Sequence, residues 1–365
     1  MATDLLWTAR KGDWCIVVLK GAAGERRQLE RELLRSGTPL PFASRCAVAS
    51  IAGYSAAAFV AVLDPQGNCA GGFAVLSRPA PLLRRHHLLR VEQFGSSIPM
   101  EAADAAVAGM LEWVRRDKRA LRLSVDVFSF DEQRRQVLGR VLAGQGFRRA
   151  EHVNGYTETL VIDLAGSEEE LFRSLHHSAR RKIRQLEKQP VAIRLIDDPA
   201  LSDRMNQLLV ETFARTGGRI HARDWERRIA LSCENPELSR IVGLFRTDTT
   251  DPDSLLAFAW GCHGVDHVYY SEAASTRATD GLRVAVAYGL MWDLIVWAKR
   301  TGARVFDLGG VTAGKHTDED PLGGISDFKR YFSQQALTVR DEWILDDLSW
   351  KASFVAAVHS RVRRR

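Results

Sequence analysis

Apolar positions along this chain follow two rhythms, and the order in which the rhythms appear repeats. Residues 56–63 and 70–76 are apolar runs flanking the turn Asp64-Pro65-Gln66-Gly67-Asn68, which predicts a hairpin. A helical spacing over 102–116 follows, and then a strand over 121–127. The second half gives the same succession. Residues 239–245 and 255–263 flank a polar loop, a third strand is predicted over 267–271, a helix over 282–300, and a strand over 304–308. Both long helical patterns end in Trp-x-basic-Arg, at Trp113 to Arg116 and at Trp297 to Arg300.

Between the halves, a helix over 131–143 stops at Gly144-Gln145-Gly146, and a strand covers 156–163. One uninterrupted helix is predicted over 168–188. Helices alternating with hairpins and strands give an α/β mixed-sheet layer fold, and 365 residues suit two domains. The division is drawn at 154/155, as residues 1–154 and 155–365. The chain ends in an amphipathic helical pattern over 348–365, with Leu348, Phe354, Val355, Val358 and Val362 on one stripe and Arg361, Arg363, Arg364 and Arg365 at its end.

Charge narrows the classes of partner. The net charge is +6 and the pI about 9.2, which favours anionic partners such as tRNA, nucleotide diphosphates or an anionic membrane surface. The cations gather at Arg84-Arg85-His86-His87, at His176-His177 with Arg180, Arg181, Lys182 and Arg184, and at the carboxy-terminal arginines. Arg180 and Arg184 are four residues apart and share a helix face. No run of about 18 uncharged apolar residues occurs, and the amino terminus lacks a basic start with an apolar core, so a cytoplasmic protein is expected. Five scattered cysteines without a C-x-x-C pair point to reduced thiols, and no His-Glu-x-x-His spacing suggests a metal.

The richest chemistry lies between residues 301 and 332. Arg304-Val305-Phe306-Asp307-Leu308 reads as a strand opened by Gly309-Gly310, where a ligand or backbone can approach closely. Lys315 and His316 follow in a polar loop, and then Phe328-Lys329-Arg330-Tyr331-Phe332. An ammonium at Lys329 can sit beside a reacting carbonyl or a phosphate; the plain alternative is a surface lysine on a strand after a turn. Asp307 is a candidate base for an attacking amine, or else a carboxylate bonded to loop backbone. Thr312 adds a hydroxyl. His263, Asp266, His267 and Glu272 gather in sequence around the hairpin of the second half. There is no Gly-x-Ser-x-Gly elbow and no Cys–His pairing, so a covalent acyl-enzyme is not indicated.

Phe306-Asp307-Leu308-Gly309-Gly310 followed by Gly324-Ile325-Ser326-Asp327-Phe328-Lys329-Arg330-Tyr331-Phe332 resembles the carboxy-terminal signature of the FemAB-like transferases. Thr159-Leu160-Val161-Ile162-Asp163-Leu164, Ser167 to Leu171 and Ser178 to Arg184 resemble that family's opening of the second domain. The resemblance covers roughly the last 210 residues of the chain. It implies two tandem GNAT-like acyltransferase domains and an amide-forming transferase acting on the amine of a cell-envelope precursor, a peptidoglycan amine first, from the cytoplasmic side. It implies no tightly bound cofactor, aminoacyl-tRNA as co-substrate, and a nucleotide- or lipid-linked sugar acceptor at or near the membrane surface.

In the same resemblance Lys329 lies beside the acyl-transfer centre, while the pattern favours a structural role for Asp307 at least as much as a catalytic one; these two are the catalytic candidates. Arg180, Lys182 and Arg184 contact acceptor phosphates, and Gly309, Gly310, Thr312 and Tyr331 shape the substrate pocket. The helix over 168–188 is too short for the coiled-coil arm of some members. Arg277-Ala278-Thr279-Asp280-Gly281 departs from the glycine spacing with which ordinary GNAT enzymes hold acyl-CoA, which puts a standard CoA site in doubt. Two alternatives stand beside this reading. One is N-acylation of an exopolysaccharide amino sugar from acyl-CoA or an acyl carrier protein; the other is a non-catalytic GNAT-like binding module.

Overall fold

A computed structural model describes residues 5–20, 24–38, 40–48, 55–80, 83–216, 222–249, 251–277, 282, 285–312, 323–346 and 348. The chain divides into two units, Met1–Thr157 with Thr338–Arg365, and Glu158–Leu337.

The first unit contains β1 (Leu5–Lys11), β2 (Trp14–Lys20), α1 (Gly24–Arg35), β3 (Ser55–Leu63), β4 (Cys69–Ala80), β5 (Leu83–Phe94), α2 (Ala103–Val114), β6 (Ala120–Phe128), α3 (Glu132–Gly144) and β7 (Arg148–Arg149). The second contains β8 (Glu158–Asp163), α4 (Glu168–Ser174), α5 (His177–Leu186), β9 (Val191–Leu195), α6 (Ser202–Thr216), α7 (Trp225–Glu234), β10 (Ser239–Arg246), β11 (Leu255–His263), β12 (His267–Ser275), α8 (Val286–Arg300), β13 (Val305–Gly310), α9 (Gly323–Arg330) and β14 (Ala336–Thr338). A last strand, β15 (Arg340–Leu345), follows.

Both sheets are mixed. The first runs β1-β2-β3-β4-β5-β6-β15-β7 and the second β14-β8-β13-β12-β11-β10-β9. Each contains one parallel pair, β5 with β6 and β12 with β13, and each pair is joined across one long apolar helix, α2 or α8. A parallel neighbour cannot be reached by a tight turn, which is why each half spends its helix there. The repeated rhythm read from the sequence is this βαβ crossover. Gly109 lets α2 lie close on its sheet, since a Cβ there would meet Ile16 at 2.8 Å.

Each sheet is covered on both faces. In the first unit α2 packs with Ile16, Val60, Val91 and Val125, while α1 places Leu33 against Phe59, Ala61 and Leu76. In the second, α8 and α5 share a core with Val242, Ala257, Val268 and Phe306, and α7 buries Trp225 against Phe258, with ring centroids 4.8 Å apart.

Three expectations need correction. First, the second domain does not run on to residue 365 as one piece. Strand β15 pairs antiparallel with β6, and Glu342 in it is held by Arg90 at 2.7 Å and by the Asn154 amide, all within the first unit. Correspondingly β8, which follows β7 along the chain, lies in the second sheet between β13 and β14. The last described strand thus returns to the first sheet, and a linear division of the sequence does not capture that return.

Second, the helix predicted over 168–188 is two helices. Ser167 caps α4 in a reciprocal pair with Glu170, and Leu175 and His176 turn extended (ψ 149° and 142°) before α5 begins. The break sends Leu175 into the core, where it is 3% exposed, and leaves the His176 ring to accept the Ser178 amide. Third, Lys329 lies on helix α9 and not on a strand. The predicted carboxy-terminal helix and the loop with Lys315 and His316 fall outside the described residues, apart from Leu348, which packs into the first core.

Candidate functional site

Strands β12 and β13 pair for three residues only, His267 with Val305, Val268 with Phe306 and Tyr269 with Asp307. Beyond that they part. Two local features cause it. On β12 the register against β11 shifts between Trp260 and Gly261, so that Glu272 faces Trp260 but Tyr270 faces Gly261, leaving Ser271 as a bulge. On β13 the Asp307 carboxylate accepts the Gly309 amide at 2.7 Å, and Gly309 takes φ 74°, a conformation that disfavours any side chain. A Cβ at Gly309 would lie 3.2 Å from the Tyr270 carbonyl oxygen and 3.4 Å from Lys329 Nζ. The glycine therefore permits both the turn and the close approach of the lysine.

Lys329 reaches back from α9 to donate to the Gly310 carbonyl at 2.6 Å. Its Nζ stands 5.9 Å from the centre of the Tyr270 ring, and the residue is 6% exposed. Burial pushes its ammonium down from 10.5 to about 8, with the neighbouring Asp307 opposing that fall. Asp307 is fully buried and accepts from Gly309 and from the Thr159 hydroxyl on β8, so it holds the strand turn and supplies the counter-charge for Lys329. Burial also raises the Tyr270 phenol above its ordinary range. Thr312 ties the strand end to α9: its amide donates to Ser326 Oγ at 2.9 Å, and its carbonyl accepts from Arg330 at 2.7 Å.

Beside this centre is an aromatic cluster. Tyr288, near the start of α8, packs on Phe328 and Phe332, with centroids 4.9 and 5.7 Å away. Lys182 donates to the Tyr288 hydroxyl at 3.0 Å and lies over the Tyr288 and Tyr331 rings at 4.3 and 5.4 Å. Tyr331 stacks on His176, and its carbonyl accepts the His176 amide, which joins the end of α9 to the start of α5. From there Arg180 and Arg184, with His177, Arg181 and Lys188, line a surface cavity of about 490 Å³.

The structure thus brings together Lys329, Asp307, Gly309, Gly310, Thr312 and Tyr331, all named from sequence. It separates Lys182, which faces the aromatic cluster, from Arg180 and Arg184, which face the cavity. It does not assemble His263, Asp266, His267 and Glu272. Asp266 and His267 contact each other at 3.4 Å where the parallel pair begins, and Glu272 is held by Arg223 and Arg228 at 3.2 and 3.0 Å. The bond to His267 keeps the Asp266 carboxyl below its usual range. Sequence reasoning missed Thr159, Tyr270, Tyr288 and Ser326. Thr159 and Ser326 stand inside the segments that carry the family resemblance, and Tyr270 carried a signal in that its strand was predicted to end at Ser271, beside the opening.

Residues 173–330 match the family described as Acetyltransferase (GNAT) domain, and the second unit carries a domain of that class. The particular relatives are structural. FemX is 13% identical with a TM-score of 0.70, over 88% of this chain and 96% of that one. L-PGS from Bacillus licheniformis is 10% identical with a TM-score of 0.52, over 95% and 98%. A tandem GNAT protein from the clavulanic acid biosynthesis pathway, solved without AcCoA, is 11% identical with a TM-score of 0.52, over 91% and 98%. At these identities the likeness is one of fold, and the fold is the tandem GNAT arrangement of two mixed α/β sheets. No curated protein matches the chain. No helix among the described residues is long and apolar enough to cross a membrane.

Proposed function

We propose that the second unit transfers an activated acyl group to an amine, with aminoacyl-tRNA as donor and the amine of a nucleotide- or lipid-linked peptidoglycan precursor as acceptor. The observation that carries this reading is the buried Lys329 ammonium at the point where β12 and β13 part. Direct attack needs a neutral amine, an acyl carbonyl held in line, and a positive charge where the oxyanion develops. The acceptor nitrogen bonds to the carbonyl carbon, the ester C–O bond breaks, and one proton passes from nitrogen to the leaving oxygen. Lys329 stabilises the negative charge on the carbonyl oxygen, and Asp307 keeps the ammonium protonated at neutral pH. The buried setting of Lys329 beside the Tyr270 ring strengthens that interaction by excluding water.

Arg180 and Arg184 serve as the handle for a diphosphate-bearing acceptor. Arg184 is eight residues beyond His176, about 12 Å along the helix, and His176 meets Tyr331, two residues after Lys329, so the acceptor would have to span at least that distance between its diphosphate and its amine. Bidentate guanidinium contacts suit diphosphate oxygens. R180A/R184A is expected to raise KM for such an acceptor by about 10- to 100-fold while kcat stays within about threefold, because binding and transition-state charge are separated. Steady-state kinetics at varied acceptor concentration measure this; a fall in kcat at unchanged KM moves the arginines out of the acceptor site.

The donor is tested by titrating purified protein with charged tRNA and with a panel of acyl-CoAs across a salt series. Saturable tRNA binding that weakens linearly on logarithmic axes with salt is the expected result. The tandem GNAT protein of the clavulanic acid pathway is described by reference to AcCoA, so acyl-CoA is the second arm. Saturation by acyl-CoA alone replaces the reading with N-acylation of an exopolysaccharide amino sugar. Saturation by neither replaces it with a binding module.

A further inference from the structure

The Arg84-Arg85-His86-His87 run belongs to the first unit, and the sheet register gives it a setting. Ser55 on β3 is opposite Ser77 on β4, Pro79 is opposite His87 on β5, and His87 is opposite Ala120 at the start of β6. The His87 amide donates to the Arg119 carbonyl at 3.1 Å, which brings Arg119 alongside β5. Alternation along a strand puts Ser77 and Pro79 on one face, and Arg85 and His87 on one face of their own strand. Ser55, Ser77, Pro79, Arg85, His87 and Arg119, together with His86 between Arg85 and His87, line a surface cavity of about 570 Å³.

Its charge is one-sided. Arg85 and Arg119 are exposed, and no ion pair to either guanidinium occurs among the described residues. Asp117, the nearby carboxylate, is engaged by His87 Nε2 at 2.8 Å and by the Arg119 amide at 2.9 Å. His87 is taken by Asp117, and Ser55 Oγ donates to the Ser77 carbonyl at 3.3 Å, so two forked cations, the His86 imidazole and the Ser77 hydroxyl, from β4, β5 and the turn before β6, are the donors this cavity offers. Guanidinium forks and hydroxyls of this kind match tetrahedral oxyanions.

We infer that this cavity is a second anion site that takes a phosphate or diphosphate group, from a free phosphorylated ligand or a lipid headgroup. The site is independent of the second unit's chemistry and of the donor proposed for it.

The test uses inorganic pyrophosphate as probe, titrated into the full-length protein by calorimetry. R85A/R119A alters exposed side chains, and its melting temperature is expected to stay at the wild-type value. Pyrophosphate binding is expected to weaken at least about tenfold in R85A/R119A, and binding at this cavity to persist in R180A/R184A, whose anion cavity lies in the other unit. Phosphatidylcholine vesicles with and without phosphatidic acid separate the sources. Retention on the phosphatidic acid vesicles that R85A/R119A abolishes assigns a headgroup, and absence of retention assigns a free phosphorylated ligand. Pyrophosphate affinity unchanged in R85A/R119A, or lost entirely in R180A/R184A, overturns the inference.

Discussion

K329M is expected to lower turnover by about 100- to 1000-fold, the loss of roughly 3–4 kcal/mol of transition-state stabilisation that removal of an oxyanion donor produces. The fold should survive. Lowering the lysine from 10.5 to about 8 means that holding its charge in this site costs about 3 kcal/mol at neutral pH. Removing the charge relieves that cost, which is already net of the attraction to Asp307, against the loss of the hydrogen bond to Gly310. Net stability at pH 7 should change by no more than about 2 kcal/mol. Wild-type stability carries the same signature. Between pH 8 and 10.5 the unfolded lysine binds more protons than the folded one, so this group's contribution makes the protein more stable as pH rises through that window. Single-turnover kinetics with denaturant titration at pH 7 and 9 measure both parts. Turnover within about threefold of wild type, under about 1 kcal/mol of barrier, removes Lys329 from the reaction.

D307N should narrow the pH range of activity from the alkaline side. The Asp307 charge supports the protonated form of Lys329, so its removal moves the lysine below about 8. If the ammonium does the work, the wild-type rate declines as pH rises through about 8, and the decline in D307N begins at lower pH. At pH 8 the variant should be at least about tenfold slower, with the gap closing as pH falls, since neutral asparagine keeps an oxygen to accept the Gly309 amide. A pH–kcat profile decides the matter. A uniform loss at all pH values makes Asp307 a structural carboxylate whose charge the reaction does not use. D307A, by contrast, also leaves the Gly309 amide without its acceptor and should destabilise the protein by about 1–3 kcal/mol.

The two results bear on different links. K329M asks whether charge at the strand opening drives the reaction, and D307N asks whether the sheet tunes that charge. Burying an ammonium costs stability, and a perturbed cation in a buried setting points to the chemistry it can perform.

Much of the architecture was legible from periodicity. The hairpin strands β3, β4, β10 and β11, the crossover helices α2 and α8, and the strands β6 and β13 all fell where alternating or helical spacing placed them. Those elements bury one face or a continuous apolar run, so their pattern is written locally. The break between α4 and α5 was not legible, because helical spacing continues through Leu175 and His176 and the chain turns there to deliver Leu175 to a core built by distant strands. Lys329 was legible as a residue, through its aromatic flanks and the paired glycines ahead of it. That it is buried, helical and bonded to Gly310 was not.

By itself the sequence determined the repeated βαβ rhythm, the glycine-opened strand, the lysine beside it and the cationic runs, since each depends on residues near one another along the chain. Only the tertiary structure decided that β15 returns to the first sheet, that Thr159 on β8 bonds Asp307 on β13, and that Lys182 faces aromatic rings while Arg180 and Arg184 face a cavity. It alone set the lysine at about 8. The physical reason is range. Strand register, burial and the field at a charge are fixed by neighbours that share a sheet or a core but are far apart in sequence, and no local spacing encodes which strand a given edge will meet.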